Sequence, residues 1–357
     1  MTPIQIGART IGPGHPCFVI AEAGANHNSD PALARQLIEA AAGAGADAIK
    51  FQTYTAAELV TRTAPKYYVD TMEQWRRGDP PSGVQFDEFR HLDGLPRSAY
   101  RDFVEQASRL GLVFLSTPFD EGAVDLLDEA GVPAFKIASG DLTAHPFVRY
   151  VAARQRPLLL ATGCATIAEI EETLDVIYAT GNRQVALLHC TLAYPCHDRD
   201  ANLNMMKTLQ VAFPDVPIGL SDHTLGTLVP ALAASHGACV IEKHFTLDKS
   251  LPTSTDHFMS VDPPELASMV RDIRSAERAM GAARKQPVPV EQPALLYARR
   301  SVVARVDIAA GDTIRREHLA LKRPGTGIAP KYVDAVAGRR TARAIPADTV
   351  MTWDMLA

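Results

Sequence analysis

Between residues 18 and 246, short apolar runs recur along the chain, and each is followed by turn residues and then by a helical pattern. Near-continuous apolar strands that alternate with amphipathic helices are typical of a parallel sheet covered by helices. Eight such strands predict an α/β fold closed into a (β/α)8 TIM barrel, with an open doubly wound sheet as the alternative. The runs are 18–24, 48–54, 112–120, 134–141, 157–163, 186–191, 218–224 and 240–246.

Two of the intervening helices carry capping signals at their first residues. Asp30 precedes Pro31 at the start of a predicted helix over 31–46, an N-cap followed by proline. Thr166 and Glu169 have the spacing of a capping box at the start of a second helix over 166–181. These signals support helices between the strands.

The predicted strands begin apolar and end on polar side chains. In a TIM barrel the carboxyl ends of the strands form one rim, and active sites lie there. The sequence therefore predicts one polar pocket built from residues that are far apart along the chain. The strand-end residues are Glu22, Lys50, Gln52, Thr117, Lys136, Ser139, Thr162, His189, His223 and His244.

His223 and His244 end the last two predicted strands, which are neighbours in a closed barrel. Two imidazoles placed in this way can share a divalent cation, with water or substrate in the remaining positions. Asp222, Glu242 and Asp256 lie close by in sequence. The absence of cysteine ligands favours an open site that polarises a carbonyl group, and Mn²⁺ or Mg²⁺ fits it, with Zn²⁺ left open.

Lys50 and Lys136 end apolar strands, and buried lysines need an anionic partner. That partner is either an anionic ligand or a rim carboxylate such as Glu22 or Asp141. A Schiff base on one lysine is a further alternative, which the histidine pair disfavours. Together with the short hydroxyl side chains nearby, the lysines predict a pocket for a small phosphorylated acid and a carbonyl compound. The hydroxyl residues are Thr117, Ser139, Thr162 and Ser221.

Composition narrows the class of protein. The chain has 357 residues, 22% of them charged, and a formal net charge of -5, so it lacks the basic field that drives nucleic-acid binding. Its first residues lack the pattern of a signal peptide, and no apolar run reaches the ~20 residues of a membrane span. We therefore expect a cytoplasmic protein with neither nucleic acid nor membrane as a partner. Its five cysteines, without a C-x-x-C motif, are expected to be buried thiols.

The chain changes character after residue 283, which we take as the end of the barrel domain. Residues 284–297 contain three prolines and are expected to form a semi-extended linker. In the remaining segment, 298–357, "ARVDIAAGDTIRREHLA" (304–320) resembles "ARAIPADTVMTWDMLA" (342–357). This near-repeat predicts a small β-rich domain that buries too little surface to be very stable alone.

Seven motifs together resemble the sialic acid (N-acetylneuraminate) synthase family with its C-terminal antifreeze-like SAF domain of the β-clip type. The resemblance implies condensation of phosphoenolpyruvate with N-acetylmannosamine or a related N-acylated hexose, with release of phosphate by C–O cleavage. It also implies a domain-swapped homodimer in which Arg323 reaches the N-acyl group of the sugar. The motifs are "IAEAGANHNS", "GADAIKFQTY", "FLSTPFD", "KIASGD", "GLSDHT", "EKHFTLD" and "LKRPGTGI".

The resemblance also assigns roles to individual residues. It makes His223 and His244 the metal ligands and places Asp141 near metal-bound water. Residues assigned to phosphoenolpyruvate are Lys50, Lys136, Thr117, Ser139 and Ser221, and those assigned to the sugar are Glu22, Tyr194 and Asp256. Further substrate-binding residues are expected at Gln52, Phe119, Thr162 and Glu242.

Several positions depart from the family pattern. Ala161 and Leu192 replace potential phosphate donors, and each lost hydrogen bond to a charged group weakens binding by about 1.5–3 kcal/mol if nothing compensates. Asp141 replaces a common glutamate. Segments 62–95 and 251–257 match the family poorly, which leaves the acceptor sugar open. The alternatives are a catalytically silent sugar-binding relative and another phosphoenolpyruvate-dependent synthase that uses a phosphorylated aldose.

Overall fold

The computed structural model describes residues 1–252 and 254–357. The chain divides into two compact units, Met1–Gly281 and Ala282–Ala357. Segment 284–297, expected to be an extended linker, belongs to the second unit. There it forms a 3₁₀ turn (Pro289–Glu291) and a short helix (Gln292–Tyr297), in which Pro293 occupies a first-turn position that needs no hydrogen-bond donor. The expectation of an extended linker was therefore wrong for this part.

Ten strands form two sheets in the first unit. They are β1 (Ile4–Ile6), β2 (Arg9–Ile11), β3 (Phe18–Gly24), β4 (Ala48–Thr53), β5 (Val113–Pro118), β6 (Phe135–Ile137), β7 (Leu158–Ala161), β8 (Val185–Cys190), β9 (Ile218–Asp222) and β10 (Val240–His244). Strands β3 to β10 are an eight-stranded parallel sheet in the order β5-β4-β3-β10-β9-β8-β7-β6. Since β10 pairs with β3, the sheet curls into a nearly closed barrel that lacks ladder pairing only between β5 and β6 in the described chain. The predicted TIM barrel is confirmed.

Helices follow the barrel strands and cover the outside of the sheet. Helix α1 shows why: its buried residues Ala34, Leu37, Ile38 and Ala41 follow the i, i+3, i+4, i+7 spacing of one helical face. The first-unit helices are α1 (Pro31–Gly43), α2 (Ala56–Leu59), α3 (Met72–Arg77), α4 (Gln85–Leu92), α5 (Ala99–Arg109), α6 (Glu121–Ala130), α7 (His145–Ala152), α8 (Ile167–Tyr178), α9 (Asn204–Ala212), α10 (Leu228–Ser235) and α11 (Pro263–Met280). No helix in the described ranges is long and apolar enough to cross a membrane.

Both predicted helix caps are confirmed. The Asp30 carboxylate accepts the backbone N–H of Ala32 at 2.8 Å. At α8, Thr166 accepts the N–H of Glu169 at 3.3 Å, and the Glu169 carboxylate accepts the N–H of Thr166 at 2.7 Å. Both helices end before the predicted residue because Gly45 and Gly181 adopt the left-handed conformation, with φ of 84° and 87°.

The antiparallel pair β1–β2 was not predicted. Its apolar side chains Ile4, Ile6 and Ile11 pack with Phe18 and Ile20, which lie at the start of β3. The hairpin thus buries apolar residues at the amino end of the barrel. This leaves the carboxyl ends of the strands for polar side chains.

The register of the barrel brings the polar strand ends side by side. His244 pairs with Glu22, which pairs with Lys50 on the next strand. On the other side of β10, Glu242 pairs with Ser221. Because side chains alternate between the two faces of a strand, Glu242 and His244 share one face and Lys243 takes the other. The topology therefore concentrates charge at one rim, as expected for this fold.

The second unit has its own apolar core. It contains α12 (Gln292–Tyr297), β11 (Ser301–Ala304), β12 (Leu319–Lys322) and α13 (Val333–Val336), with β11 antiparallel to β12. Isolated bridges link the two halves of the sequence near-repeat, for example Ile308 with Ile345. Each half of the near-repeat also contains a single 3₁₀ turn at the matching place, Arg316–His318 in the first and Trp353–Met355 in the second.

Candidate active site

A cavity of about 310 Å³ opens at the carboxyl rim of the barrel and is lined by residues of the first unit. This volume is at the lower end of the range usual for small-molecule sites. Most residues that the sequence singled out meet there. The predicted residues that line the cavity are Glu22, Lys50, Gln52, Thr117, Phe119, Lys136, Ser139, Asp141, Tyr194, Ser221, His223, Glu242, His244 and Asp256.

Lys50 lies at the centre of a buried polar network. Its ammonium group is 2.7 Å from the Glu22 carboxylate and donates to the Thr117 hydroxyl at 2.7 Å. The side chains of Lys50 and Glu22 are 2% and 1% exposed. Burial raises the pKa of Glu22 to about 7 against the opposing pull of Lys50. The carboxyl group can therefore gain or lose a proton near neutral pH.

Glu242 joins the two buried lysines. Its Oε1 atom lies 3.6 Å from the Lys50 ammonium and 3.9 Å from that of Lys136, and it accepts the Ser221 hydroxyl at 3.2 Å. Burial lowers the pKa of Lys136, although Glu242 opposes this. Lys136 donates its own hydrogen bond only to the Ile137 carbonyl, at 3.3 Å, within the described chain. Its ammonium group is therefore the less strongly paired of the two and is available to an anion.

His223 and His244 face one another across the cavity, with ring centroids 5.3 Å apart. Tyr194 packs on His223 with ring centroids 4.1 Å apart. Burial and then the neighbouring charge of His223 lower the pKa of His244 well below its usual value, so its imidazole is neutral. For His223, burial is the largest influence and works to lower the pKa, but the Cys190 sulfur, the Thr191 carbonyl and Asp222 together raise it. The two rings thus lie close enough to act together.

The histidine pair fits a metal held by two imidazole ligands. The Nδ1 atom of His223 donates to the Thr191 carbonyl at 2.9 Å, which leaves Nε2 with a lone pair. The Nδ1 atom of His244 is buried without a hydrogen bond to any described residue, and Asp256 Oδ2 lies 3.4 Å from it. No group of three or more His, Cys, Asp or Glu side chains among residues 1–252 and 254–357 forms a complete metal site. A cation here would therefore need water or substrate as further ligands.

Asp141 and Asp256 add two further carboxyl groups to the lining of the cavity. Burial raises the pKa of Asp141 to about 6, and Lys136 opposes this shift. Its Oδ2 atom is buried and has no hydrogen-bond partner in the described parts of the chain. Burial also raises the pKa of Asp256 to about 6. Both groups can exchange protons near neutral pH, as general acids and bases must.

Three predicted pocket residues lie elsewhere. His189 is buried, but its Nε2 atom donates to the Ala201 carbonyl at 2.7 Å and the residue does not line the cavity. Thr162 is not among the lining residues, because its hydroxyl donates to the Leu188 carbonyl of β8 at 3.1 Å. Arg323 is an exposed residue of the second unit, directly after β12, so its predicted contact with the sugar stays a prediction. Both substituted positions, Ala161 and Leu192, do line the cavity.

Two charged residues near the histidines have structural contacts. Lys243 points away from the cavity face, and its ammonium group lies 2.6 Å from the Asp222 carboxylate. Asp222 also accepts the backbone N–H and the hydroxyl of Thr224, at 3.1 and 2.9 Å. This buried cluster fixes the backbone that leads out of β9 on either side of His223.

Segment 62–95 was connected with the acceptor sugar from the sequence, but no individual residue of the cavity wall that this region forms was identified. Residues Leu59, Val60, Tyr67, Tyr68, Gln85, Glu88, Phe89 and Leu92 line it, and all belong to the segment between β4 and α5. Helices α2–α4 of this segment are too short for a helical periodicity of apolar residues to be recognised in the sequence. One cysteine differs from the expectation of buried thiols: Cys164 is exposed, in a left-handed turn with φ of 62°. Cys190 is buried, as expected, and lines the cavity.

Comparison with known proteins agrees with this architecture. The chain matches the NeuB family over residues 37–285 and the SAF domain over residues 299–357. It is 42% identical to N,N'-diacetyllegionaminic acid synthase of Legionella pneumophila, with 98% of this chain and 97% of that protein covered. It is 35% identical to N-acetylneuraminate-9-phosphate synthase of Mus musculus, over 96% of this chain and 94% of that protein.

A solved structure shows the same fold. The N-acetylneuraminic acid synthetase of Leptospira borgpetersenii superposes with a TM-score of 0.72 at 32% identity, covering 82% of this chain and 94% of that one. The family match, residues 37–285, spans most of the barrel unit that holds the cavity. The three comparisons cover 94–97% of the relatives' own lengths. The chain therefore belongs to the NeuB family of nonulosonic acid synthases and carries that family's barrel together with a C-terminal SAF domain.

Proposed function

We propose that the protein is a metal-dependent transferase that condenses phosphoenolpyruvate with an N-acylated hexose to form a nonulosonic acid. The observation that carries this proposal is the single cavity in which two buried lysines and a facing histidine pair come together. Lysines can bind the carboxylate and phosphate of a small acid, whereas a histidine pair suits a cation that polarises a carbonyl. A sugar-binding relative without activity has no evident use for both groups.

The lysines are the proposed site of phosphoenolpyruvate. Lys50 and Lys136 approach the same Glu242 oxygen, at 3.6 and 3.9 Å, so their ammonium groups lie close together. Thr117, Ser139 and Ser221 add hydroxyl donors at the same rim. A doubly charged ligand between the two ammonium groups gains charge-assisted hydrogen bonds. When the substrate binds, Glu22 and Glu242 either keep their ion pairs with the lysines beside it or become protonated.

The proposed reaction balances without a redox partner. C3 of phosphoenolpyruvate attacks the aldehyde carbon of the open-chain sugar, a C–C bond forms, and the aldehyde oxygen takes up a proton. The positive charge left at C2 is quenched by water, which loses a proton. The C2–O bond to phosphate then breaks, and phosphate leaves with the bonding electrons. The hydroxyl group left on C2 passes its proton to the departing phosphate, and C2 becomes a ketone.

The chain supplies groups for these proton transfers. Glu22, with a pKa of about 7, is suited to donate a proton to the aldehyde oxygen. Asp141, with a pKa of about 6 and an unpaired buried oxygen, is suited to accept the proton of the attacking water. A cation held by His223 and His244 would supply Lewis-acid polarisation of the aldehyde. Lys50 and Lys136 stabilise the charge on the departing phosphate.

Phosphate release tests the proposal. The protein is incubated with phosphoenolpyruvate, Mn²⁺ and a panel of N-acylated hexoses, the products are identified by mass spectrometry, and EDTA is added as a control. We expect release only with a sugar and a metal, and loss of at least about 100-fold in His223→Ala. The matched control is His15→Ala, because His15 is exposed and lies outside the cavity. Full activity of His223→Ala would contradict the metal assignment.

We also propose the domain-swapped homodimer, in which Arg323 of one copy serves the cavity of the other. Mixing two impaired variants, His223→Ala and Arg323→Ala, and allowing subunits to exchange tests this arrangement. In a swapped heterodimer one of the two cavities has both a native barrel and a native tail, so activity returns. If each tail serves its own barrel, the mixture stays as inactive as its components.

A further inference from the structure

Residues 254–260, called the Asp256 loop, lie between β10 and α11 and place one carboxyl group over the backbone of β3. A Cβ atom added at Gly24, where φ is 54°, would lie 3.4 Å from Asp256 Oδ2 and 3.5 Å from both Glu22 Oε1 and Gln52 Nε2. The same Asp256 oxygen is 3.4 Å from His244 Nδ1. The carboxyl group thus has a narrow position, where three other polar side chains of the cavity meet.

The next residue, His257, holds the loop from the side away from the cavity. Its side chain is fully buried, and it is not among the residues that line the cavity. Its Nε2 atom lies 3.1 Å from Asn28 Oδ1, and its Nδ1 atom lies 2.8 Å from the Thr246 hydroxyl. Because an amide oxygen can only accept, Nε2 carries the proton and Nδ1 accepts the hydroxyl. One neutral imidazole therefore links the Asp256 loop to the ends of two neighbouring barrel strands.

The contact with Asn28 is made by a constrained backbone. Asn28 and Ser29 have φ of 50° and 60°, the left-handed conformation that residues other than glycine seldom adopt. Further hydrogen bonds hold Ser29: its backbone N–H donates to His27 Nδ1 at 3.1 Å, and its hydroxyl accepts the Gly94 N–H at 3.0 Å. A strained conformation of this kind persists where several contacts fix it, and such positions cluster at functional sites. The Asn28 oxygen is therefore a fixed acceptor for His257.

Two other contacts hold the loop at its ends. Thr255 donates its backbone N–H and its hydroxyl to Glu88, at 3.2 and 2.9 Å. The Ser260 hydroxyl donates to the Asp256 carbonyl at 2.7 Å and accepts the side-chain amide of Asn26 at 3.2 Å. These contacts fix the course of the loop, whereas His257 fixes the point beside Asp256.

Resting on the proposed function, we infer that His257 is a positioning residue that sets the Asp256 carboxyl group against the acceptor sugar. Without the two hydrogen bonds of the imidazole, the loop beside Asp256 can shift, and a displacement of about 1 Å at a reacting site is costly. Phosphoenolpyruvate should be little affected, because its proposed partners Lys50 and Lys136 lie on other strands. A histidine that only stabilised the fold would leave the KM of both substrates unchanged.

Substitution of His257 separates these roles. Phosphate release is measured with Mn²⁺, phosphoenolpyruvate and N-acetylmannosamine, or another N-acylated hexose that supports release. His257→Leu should raise the KM for the sugar about 10-fold or more and change the KM for phosphoenolpyruvate less than about 2-fold, as expected for lost hydrogen bonds at one end of the site. The control is His145→Gln, because His145 lies 3.4 Å from the Thr173 hydroxyl and does not line the cavity.

Conservative variants keep the test open if His257→Leu fails to fold. The side-chain amide of His257→Gln can donate to Asn28 from near the Nε2 position, whereas that of His257→Asn is shorter and reaches only the Nδ1 position. The sugar KM should therefore be closer to that of the wild type in His257→Gln than in His257→Asn. Equal values or the reverse order would overturn the inference, as would an unchanged sugar KM in a folded His257→Leu protein.

A double-mutant cycle with Asp256→Asn shows whether His257 acts through Asp256. If it does, adding His257→Leu to Asp256→Asn should change kcat/KM for the sugar by less than about 2-fold, because the group that it positions is already altered. Fully additive losses would contradict the inference and leave the proposed function standing. Absence of phosphate release by the wild-type protein with every sugar of the panel would overturn the proposed function itself.

Discussion

Replacing Lys50 with methionine separates the structural role of the buried network from its role in binding. At 2.7 Å and an effective dielectric constant of about 20, the attraction between Lys50 and Glu22 is about 6 kcal/mol before desolvation. Removing one partner of a buried pair costs about 3–5 kcal/mol of folding free energy. The loss should fall at the lower end, because burial already raises the pKa of Glu22 to about 7 and the carboxyl will take up a proton without Lys50.

The double variant Glu22→Gln/Lys50→Met removes both charges and should recover much of the lost stability. It should not recover turnover, because phosphoenolpyruvate loses a cationic partner. Urea unfolding gives the free energies, and phosphate release gives the activity. Lys207→Met is the control, since Lys207 is exposed on α9. An unchanged unfolding free energy in Lys50→Met would refute the buried ion pair, and wild-type turnover in the double variant would refute the phosphoenolpyruvate site.

Three further predictions concern stability and assembly of the cavity. Burial lowers the pKa of His27 to about 4. Between pH 6.5 and about 4 the unfolded chain therefore binds a proton that the folded protein does not. The free energy of unfolding should fall by ~3 kcal/mol as the pH falls through this range. Urea unfolding across this range should show a weaker acid dependence in His27→Asn. Thr166→Ala should cost about 0.5–2 kcal/mol by removing the cap of α8, measured in the same way. Trp75→Phe keeps an aromatic side chain but removes the indole N–H that donates to the Pro195 carbonyl. It should raise the KM for the sugar with little change in the KM for phosphoenolpyruvate. Equal effects on both KM values would contradict the placement of segment 55–95 at the sugar end of the cavity.

The barrel could be predicted because its signals are local. Each strand is a short apolar run, and the caps at Asp30 and Thr166 are made by residues within three positions of each other. The convergence of Glu22, Lys50 and His244 then follows from the topology, since parallel strands in chain order place their carboxyl ends together.

The rest depends on contacts between distant segments. The side chains of Glu88 and Thr255 are hydrogen-bonded although they lie 167 positions apart in sequence. Segment 55–95, which contains Glu88, has no periodicity long enough to predict where it lies in the fold. Thr162 looked like its neighbours at the strand ends, but whether its hydroxyl faces the cavity or the β8 backbone depends on the local turn. The partner of Lys50 was left open between ligand and carboxylate, and only the strand register places Glu22 beside it.

The most direct test of the central claim follows the bridging oxygen of phosphoenolpyruvate. The reaction is run with ¹⁸O between C2 and phosphorus, with Mn²⁺ and an N-acylated hexose, and both products are analysed by mass spectrometry. Attack of C3 on the aldehyde followed by addition of water at C2 predicts that the label leaves with phosphate and that the sugar acid gains the three-carbon unit. Label retained in the organic product, or phosphate released without a condensed product, would contradict the account.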